Sequence, residues 1–177
     1  DEATTAIREA YKTFIANMFK LCGYNKEAQQ AVQDIMKIET VLAKASKSRT
    51  ELRDVEANYN KTTMADFEKL YPNLPLKKVF MAEGVKEEHL QNIVVGQPLF
   101  LAEADKLFAT LTPGELRHYM QWNVILGAAN YLSDEMSNEY FNFFGKTMRG
   151  RKEDYPRWKR ATNQVESQMG EALGRMY

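Results

Sequence analysis

Few side chains in this sequence could make or break bonds, and their spacing decides what they could do. His89 and His118 are the only neutral-pH bases among 177 residues. Neither belongs to a His-Glu-x-x-His run, which would set two zinc ligands one helical turn apart with a carboxylate base between them. Leu90 follows the first histidine and Tyr119 the second. His89 lies in the charged run Glu87-Glu88-His89 and is expected to be a solvated surface residue. His118 lies one residue from the apolar positions of its segment and is expected to be a hydrogen-bonded structural histidine. Cys22, the single cysteine, sits near the end of an amphipathic stretch and is expected to act as a small buried hydrophobe rather than a reactive thiol. Glu87-Glu88 and Asp134-Glu135 have the look of solvated turns or helix starts. Gly145-Lys146-Thr147 resembles the tail of a phosphate-binding loop but lacks its leading glycine and strand. Arg149, Arg151, Lys152, Arg157, Lys159 and Arg160 form the one notable basic cluster. Trp158 lies within it, and Glu153 and Asp154 interrupt it. A solvated helix face is the expectation there, with a phosphate or RNA site as the alternative. No active site emerges from these residues.

The elements that would position them are helices. From Thr4 or Thr5 to Cys22, Ile7, Tyr11, Phe14, Ile15, Met18 and Leu21 recur at helical spacing, and Gly23 supplies a stop. Asn25 is expected to cap a helix over Lys26 to Ala45, paired antiparallel with the first through a short turn. Residues 46 to 62 show no period and predict a long connection. Thr63 can cap a short helix from Met64 to Tyr71, another is expected from Pro75 to Ala82, and Lys86 to Leu90 can add a turn. Asn92 to Gly96 is a strand-like connector, and Pro98 opens a further helix. Thr112-Pro113-Gly114-Glu115 is the clearest helix start, a cap with a reciprocating glutamate. It predicts a helix to Leu132 with an apolar stripe of Leu116, Tyr119, Met120, Val124, Gly127, Ala128 and Tyr131, where Gly127-Ala128-Ala129 would let a neighbour approach closely. Ser133 opens a helix through Phe144 and Met148. Pro156 opens the last one, striped by Trp158, Ala161, Val165, Met169, Leu173 and Met176. The fold class expected is all-α: a single compact multi-helix domain with amphipathic antiparallel helices and short connectors.

Composition narrows the function classes. Twenty-four basic residues balance twenty-four acidic ones, which argues against a dedicated nucleic-acid binder. Hydrophobic residues make up 44% of the chain, enough for a folded core, yet no stretch approaches the ~20 apolar residues of a membrane span. A single cysteine excludes an internal disulfide framework and a Cys-rich zinc module. The sequence starts at Asp1 without a signal pattern and ends at Met176-Tyr177 inside a helical pattern, so a piece of a longer protein is expected.

Pro156-Arg157-Trp158-Lys159-Arg160-Ala161, with Val165, Met169, Ala172 and the ending Gly174-Arg175-Met176-Tyr177, resembles a segment of the neprilysin and endothelin-converting-enzyme family of zinc metallopeptidases. Arg53-Asp54 and Asn58-Tyr59-Asn60-Lys61-Thr62-Thr63 are similar to that family's Tyr-Asn-Lys-Met-Thr region. Val94-Val95 with Pro98-Leu99-Phe100-Leu101, and Tyr119-Met120-Gln121-Trp122 with Leu132-Ser133, follow in the family's order over nearly the whole chain.

The resemblance implies that residues 1–177 are the helical, non-catalytic lobe of a larger bilobal zinc metalloendopeptidase. That lobe would cap the active-site chamber and limit substrates to oligopeptides. The zinc, its ligands and the arginines that hold the substrate's end would lie in the catalytic lobe of the same polypeptide, leaving no metal and no catalytic residue in this segment. Ala161 stands where animal members have a cysteine, which fits a bacterial oligopeptidase-type member, exported or periplasmic. Arg53, Asn58 and Tyr59, in the long connection, are the candidates for facing the chamber or the other lobe; the bland alternative is that they satisfy backbone groups in an ordered loop. A stand-alone helical module that binds peptides or proteins is the alternative function.

Overall fold

The computed structural model describes residues 2–176; Tyr177, the end of the family-like motif, lies outside them, as does Asp1. The described residues form eight α-helices and one two-stranded sheet, and the class is all-α. Contacts divide the chain into a unit of residues 26–124 and a unit of residues 1–25 with 125–177.

In the first unit, α2 (Ala28–Ala45) buries Ala28, Ala31, Val32, Asp34, Ile35 and Ile38 and packs on α5 (Pro98–Thr110). Its start falls three residues beyond Asn25. Glu27 holds the cap position without a side-chain cap, so Asn25 does not cap it. Residues 46 to 62 are more ordered than their lack of period predicts. They contain a 3₁₀ turn, Glu51–Arg53, and strand β1 (Asn60–Thr62), which pairs antiparallel with β2 (Ile93–Val95) in the register Asn60↔Val95. Three-residue elements are too short to carry a period, and this strand exists because its partner does. α3 (Met64–Leu70) and α4 (Leu76–Ala82) close over the sheet. Met64, Phe67, Tyr71, Leu90 and Val95 make the buried cluster, with Phe80, Ile93 and Leu101 against it. Thr63 caps α3 by accepting from the Asp66 amide. Asp105 receives both the Asn73 amide and its side chain at 2.8 and 2.9 Å, which fixes the α3–α4 turn on α5.

α6 (Pro113–Ala128) opens with the expected cap: Glu115 accepts from the Thr112 amide at 2.8 Å, and Thr112 Oγ1 accepts from the Glu115 amide. The face it buries differs from the predicted stripe. His118, Trp122, Ile125 and Ala129 are buried, whereas Met120, Val124 and Tyr131 are 61%, 70% and 61% exposed. Apolar residues occur on every side of this helix, so period alone does not select the inward face. α6 also ends at Ala128, followed by a 3₁₀ turn, and a Cβ built on Gly127 meets nothing within 4 Å.

In the second unit, α1 (Glu2–Leu21) buries Phe14, Ile15, Ala16, Met18 and Phe19. Gly23 ends it at φ +87°, with Gly23 N bonding Lys20 O and Tyr24 N bonding Phe19 O. α7 (Asp134–Tyr140), capped by Ser133, runs into a π-helical stretch, Phe141–Thr147. Phe14 stacks on Phe143 at 5.0 Å between centroids and meets Phe144 edge-on, and Asn17 donates to Glu139 at 2.8 Å. A Cβ on Gly145 would overlap the Phe141 ring, so any larger residue there would push that ring aside. α8 (Arg157–Gly174) follows, with no buried residue.

Candidate functional site

The segment carrying Arg53, Asn58 and Tyr59 is built by local polar bonds. Ser46 turns extended at the end of α2. Glu51 Oε2 then accepts from both the amide and the hydroxyl of Ser48, at 2.7 and 2.6 Å, while the Glu51 amide returns to Ser48 Oγ. These Ser48 bonds hold the Glu51 carboxyl below its ordinary range. Asp54 accepts from the Ala57 amide, a side chain imitating a turn.

Asn58 ties the segment together. Its amide nitrogen donates to the carbonyls of Glu51 and Asp54 at 2.9 and 2.6 Å, and its oxygen accepts from Lys47 Nζ at 2.6 Å. The same ammonium reaches Gly96 O at 3.3 Å, and the Lys47 amide donates to Gln97 Oε1 at 2.8 Å. Lys47 and Asn58 thus tether the long connection to the β2–α5 junction. Nothing in the sequence pattern pointed to Lys47 or Gln97, because their contacts span about fifty positions.

Above the buried cluster lies an apolar cavity of about 380 Å³, walled by Leu52, Met64, Phe67, Phe80 and Leu101, with Asn58 at its edge. Arg53 and Tyr59 do not line it; both are exposed, Tyr59 by 59%. The three candidates therefore separate into one positioning residue with its hydrogen bonds committed inward and two side chains presented outward.

The chemistry-bearing residues gather elsewhere. His118, 5% exposed, shares a 2.6 Å hydrogen bond between Nδ1 and Asp34 Oδ2, and its Nε2 lies 3.5 Å from Glu27 Oε2. Gln30 donates to the other Asp34 oxygen at 2.8 Å. This buried pair joins α6 to α2, the structural role expected for His118. His89 is exposed beside Glu88. Cys22 is half-buried, and burial raises its thiol pKa, which favours the protonated, unreactive form. Among the described residues no three His, Cys, Asp or Glu side chains are placed to hold a metal ion. Trp158, on the apolar stripe of α8, is 69% exposed, and no residue of that helix is buried.

The model of Peptidase family M13, for its N-terminal part, matches residues 1–177. Endothelin-converting enzyme 1 of Rattus norvegicus is 28% identical over 173 residues, 94% of this chain and 22% of its own length. Endothelin-converting enzyme-like 1 of the same animal is 26% identical over 183 residues, 100% of this chain and 23% of its own. The chain thus spans less than a quarter of the length of these curated relatives. Among solved structures, Mycobacterium tuberculosis zinc metalloprotease ZMP1 in complex with inhibitor superposes with a TM-score of 0.94 at 29% identity, over 100% of this chain and 27% of that one. The same protease in an open state gives 0.92 at 30% identity, over 100% and 28%.

Proposed function

Because this chain belongs to peptidase family M13, we propose that it is the helical lobe of a zinc metalloendopeptidase and that it caps the active-site chamber of the parent enzyme. Peptide-bond hydrolysis is the work of a zinc lobe elsewhere in the same polypeptide, and the substrates are oligopeptides. The observation that carries the reading is likeness along the whole chain to a region of proteins about four times longer, one of them a zinc metalloprotease. The role proposed for this lobe is to shape and gate the chamber, with the metal held by the other lobe.

Gating affects rate without a catalytic group. A closed chamber excludes water and orients the substrate, and opening admits flexible peptides while a folded protein stays out. The related protease is recorded in both an inhibitor complex and an open state, which supports a chamber that opens and closes. Arg53 and Tyr59, exposed on a tethered loop, are the side chains proposed to face the chamber or the other lobe, with Asn58 holding them in place. The parent is proposed to be an exported bacterial protein; among the described residues no helix is long and apolar enough to cross a membrane.

The test compares cleavage of short peptides with that of a stably folded protein by the full-length parent, before and after cross-linking the lobes through paired cysteines. Short peptides are expected to be cut and the folded protein spared, and the cross-link is expected to depress turnover reversibly. Efficient cleavage of the folded protein, with turnover unchanged in the verified cross-linked form, overturns the reading. A parent reading frame without a His-Glu-x-x-His run downstream does so too.

A further inference from the structure

The basic cluster of residues 149–160 holds six Lys and Arg against two acids in a chain of zero net charge. Its arginines do not scatter over a helix face. Arg149, Arg151, Arg157 and Arg160 converge on one cavity of about 490 Å³ within residues 130–164, together with Asp134 and Asp154.

Two of the four guanidiniums are held. Arg160 Nη1 donates to Asp154 Oδ2 at 2.9 Å and to Ser137 Oγ at 2.8 Å. Arg151 lies 3.7 Å from the other Asp154 oxygen and stacks over Tyr155 at 4.3 Å and Phe141 at 5.2 Å. Asp154 therefore serves both and has little left to offer a third. Arg149 and Arg157 are exposed and have no hydrogen bond or ion pair among the described residues. The cavity thus pairs a rigid half with two uncommitted forks at its mouth, and cations outnumber anions in its wall.

We propose that this cavity is a subsite for an acidic side chain of an extended peptide, with the Asp or Glu carboxylate held by Arg149 and Arg157. The proposal rests on the peptide-acting function above and adds a substrate preference to it. A planar guanidinium matches a carboxylate in bidentate geometry. Asp134 and Asp154 oppose a multiply charged polyphosphate more strongly than a single carboxylate, so a peptide is favoured over a nucleic acid.

The experiment uses two labelled peptides with blocked termini, identical and uncharged except for a central Glu or Gln. Each is titrated against the 177-residue chain by fluorescence anisotropy. The Glu peptide is expected to bind about tenfold more tightly at low salt, with the gap narrowing as salt rises. Arg149→Gln with Arg157→Gln is expected to abolish the gap, while the paired Lys replacements, which keep charge but lose the fork, restore part of it. Circular dichroism of each variant verifies the fold, and neither arginine is buried. Equal binding of the two peptides, or a gap that survives the Gln pair, overturns the proposal. Displacement of the Glu peptide by inorganic phosphate, at concentrations where acetate has no effect, overturns it in favour of a phosphate site.

Kinetics of the full-length parent supply the second measurement. A kcat/KM preference for the Glu peptide that the Gln pair removes supports the subsite. Peptide cleavage with no such preference sinks this proposal and leaves the proposed function standing. Binding of the Glu peptide by a parent that cleaves nothing would do the reverse.

Discussion

α2 and α8 are both eighteen residues long and both amphipathic, yet α2 buries six residues and α8 buries none. The apolar positions of α2 lie under α5, and a 2.6 Å bond from Asp34 to His118 fixes it to α6. The stripe of α8 leaves Trp158, Val165 and Met169 largely exposed, while its polar side contributes Arg157 and Arg160 to a cavity. Similar sequence patterns therefore have different energetic weight. Periodicity forms the helix and chooses its apolar face, but stability comes from what covers that face.

The largest expected effect lies on the covered side of this contrast. Trp122 is fully buried, so Trp122→Ala removes a large side chain from a region that cannot collapse around the gap. A loss of about 3–5 kcal/mol is expected in urea unfolding of the chain. A loss below about 1 kcal/mol would break the comparison, because the α6 face would then not be a core face.

Next in size is the polar anchor of α2. His118→Leu keeps volume but strips Asp34 of its buried partner, leaving Gln30 alone on that carboxylate. Breaking a buried pair from one side costs about 3 kcal/mol. Asp34→Asn with His118→Leu should recover part of the loss, since the charge left behind is removed. A double variant that is less stable than the sum of the two single ones would refute the pair as the anchor.

A smaller effect tunes the α6 cap. The Glu115 carboxyl is held down at about 2, first by Lys37 and then by the Thr112 amide and hydroxyl. Its folded pKa lies below the ordinary value of 4.5, so its contribution is fully present above that value and is lost as pH falls toward about 2. Glu115→Gln is expected to lower stability at neutral pH, to flatten the acid limb of the stability profile between those values, and to matter least near pH 2, where the carboxyl is protonated in any case. An unchanged acid limb would show that the cap is frayed in solution.

What could be read from the sequence was what is decided locally. Thr63, Thr112 with Glu115, and Ser133 announced their helices because capping is a contact three residues away, and Gly23 marked a stop because its φ is +87°. The inward face of α6 was not legible, since apolar residues surround the helix and the choice is made by Asp34, eighty-four positions away. The candidate loop was half legible. Asn58 could be singled out by resemblance, but its role comes from Lys47 and, beyond that, from Gly96 and Gln97. The exposure of Trp158 was not legible, because a stripe says which side is apolar, not whether anything lies against it.

The smallest expected effect lies on the uncovered side and sharpens the comparison most. Trp158 is 69% exposed, so Trp158→Ala in the 177-residue chain forfeits little buried area and should cost under about 0.5 kcal/mol. The chain has two tryptophans, which makes a direct optical check available. Acrylamide should quench the Trp158 emission readily and the Trp122 emission poorly, so quenching of the native chain should be biphasic and become uniformly weak in Trp158→Ala. In the full-length parent the same substitution should cost more than in the isolated chain, because the proposed remaining lobe gives the stripe something to pack on. Equal, negligible costs in both would mean that α8 keeps its apolar face in water throughout. A cost above about 2 kcal/mol in the chain alone would mean that α8 is covered as α2 is, and the contrast between the two helices would be gone.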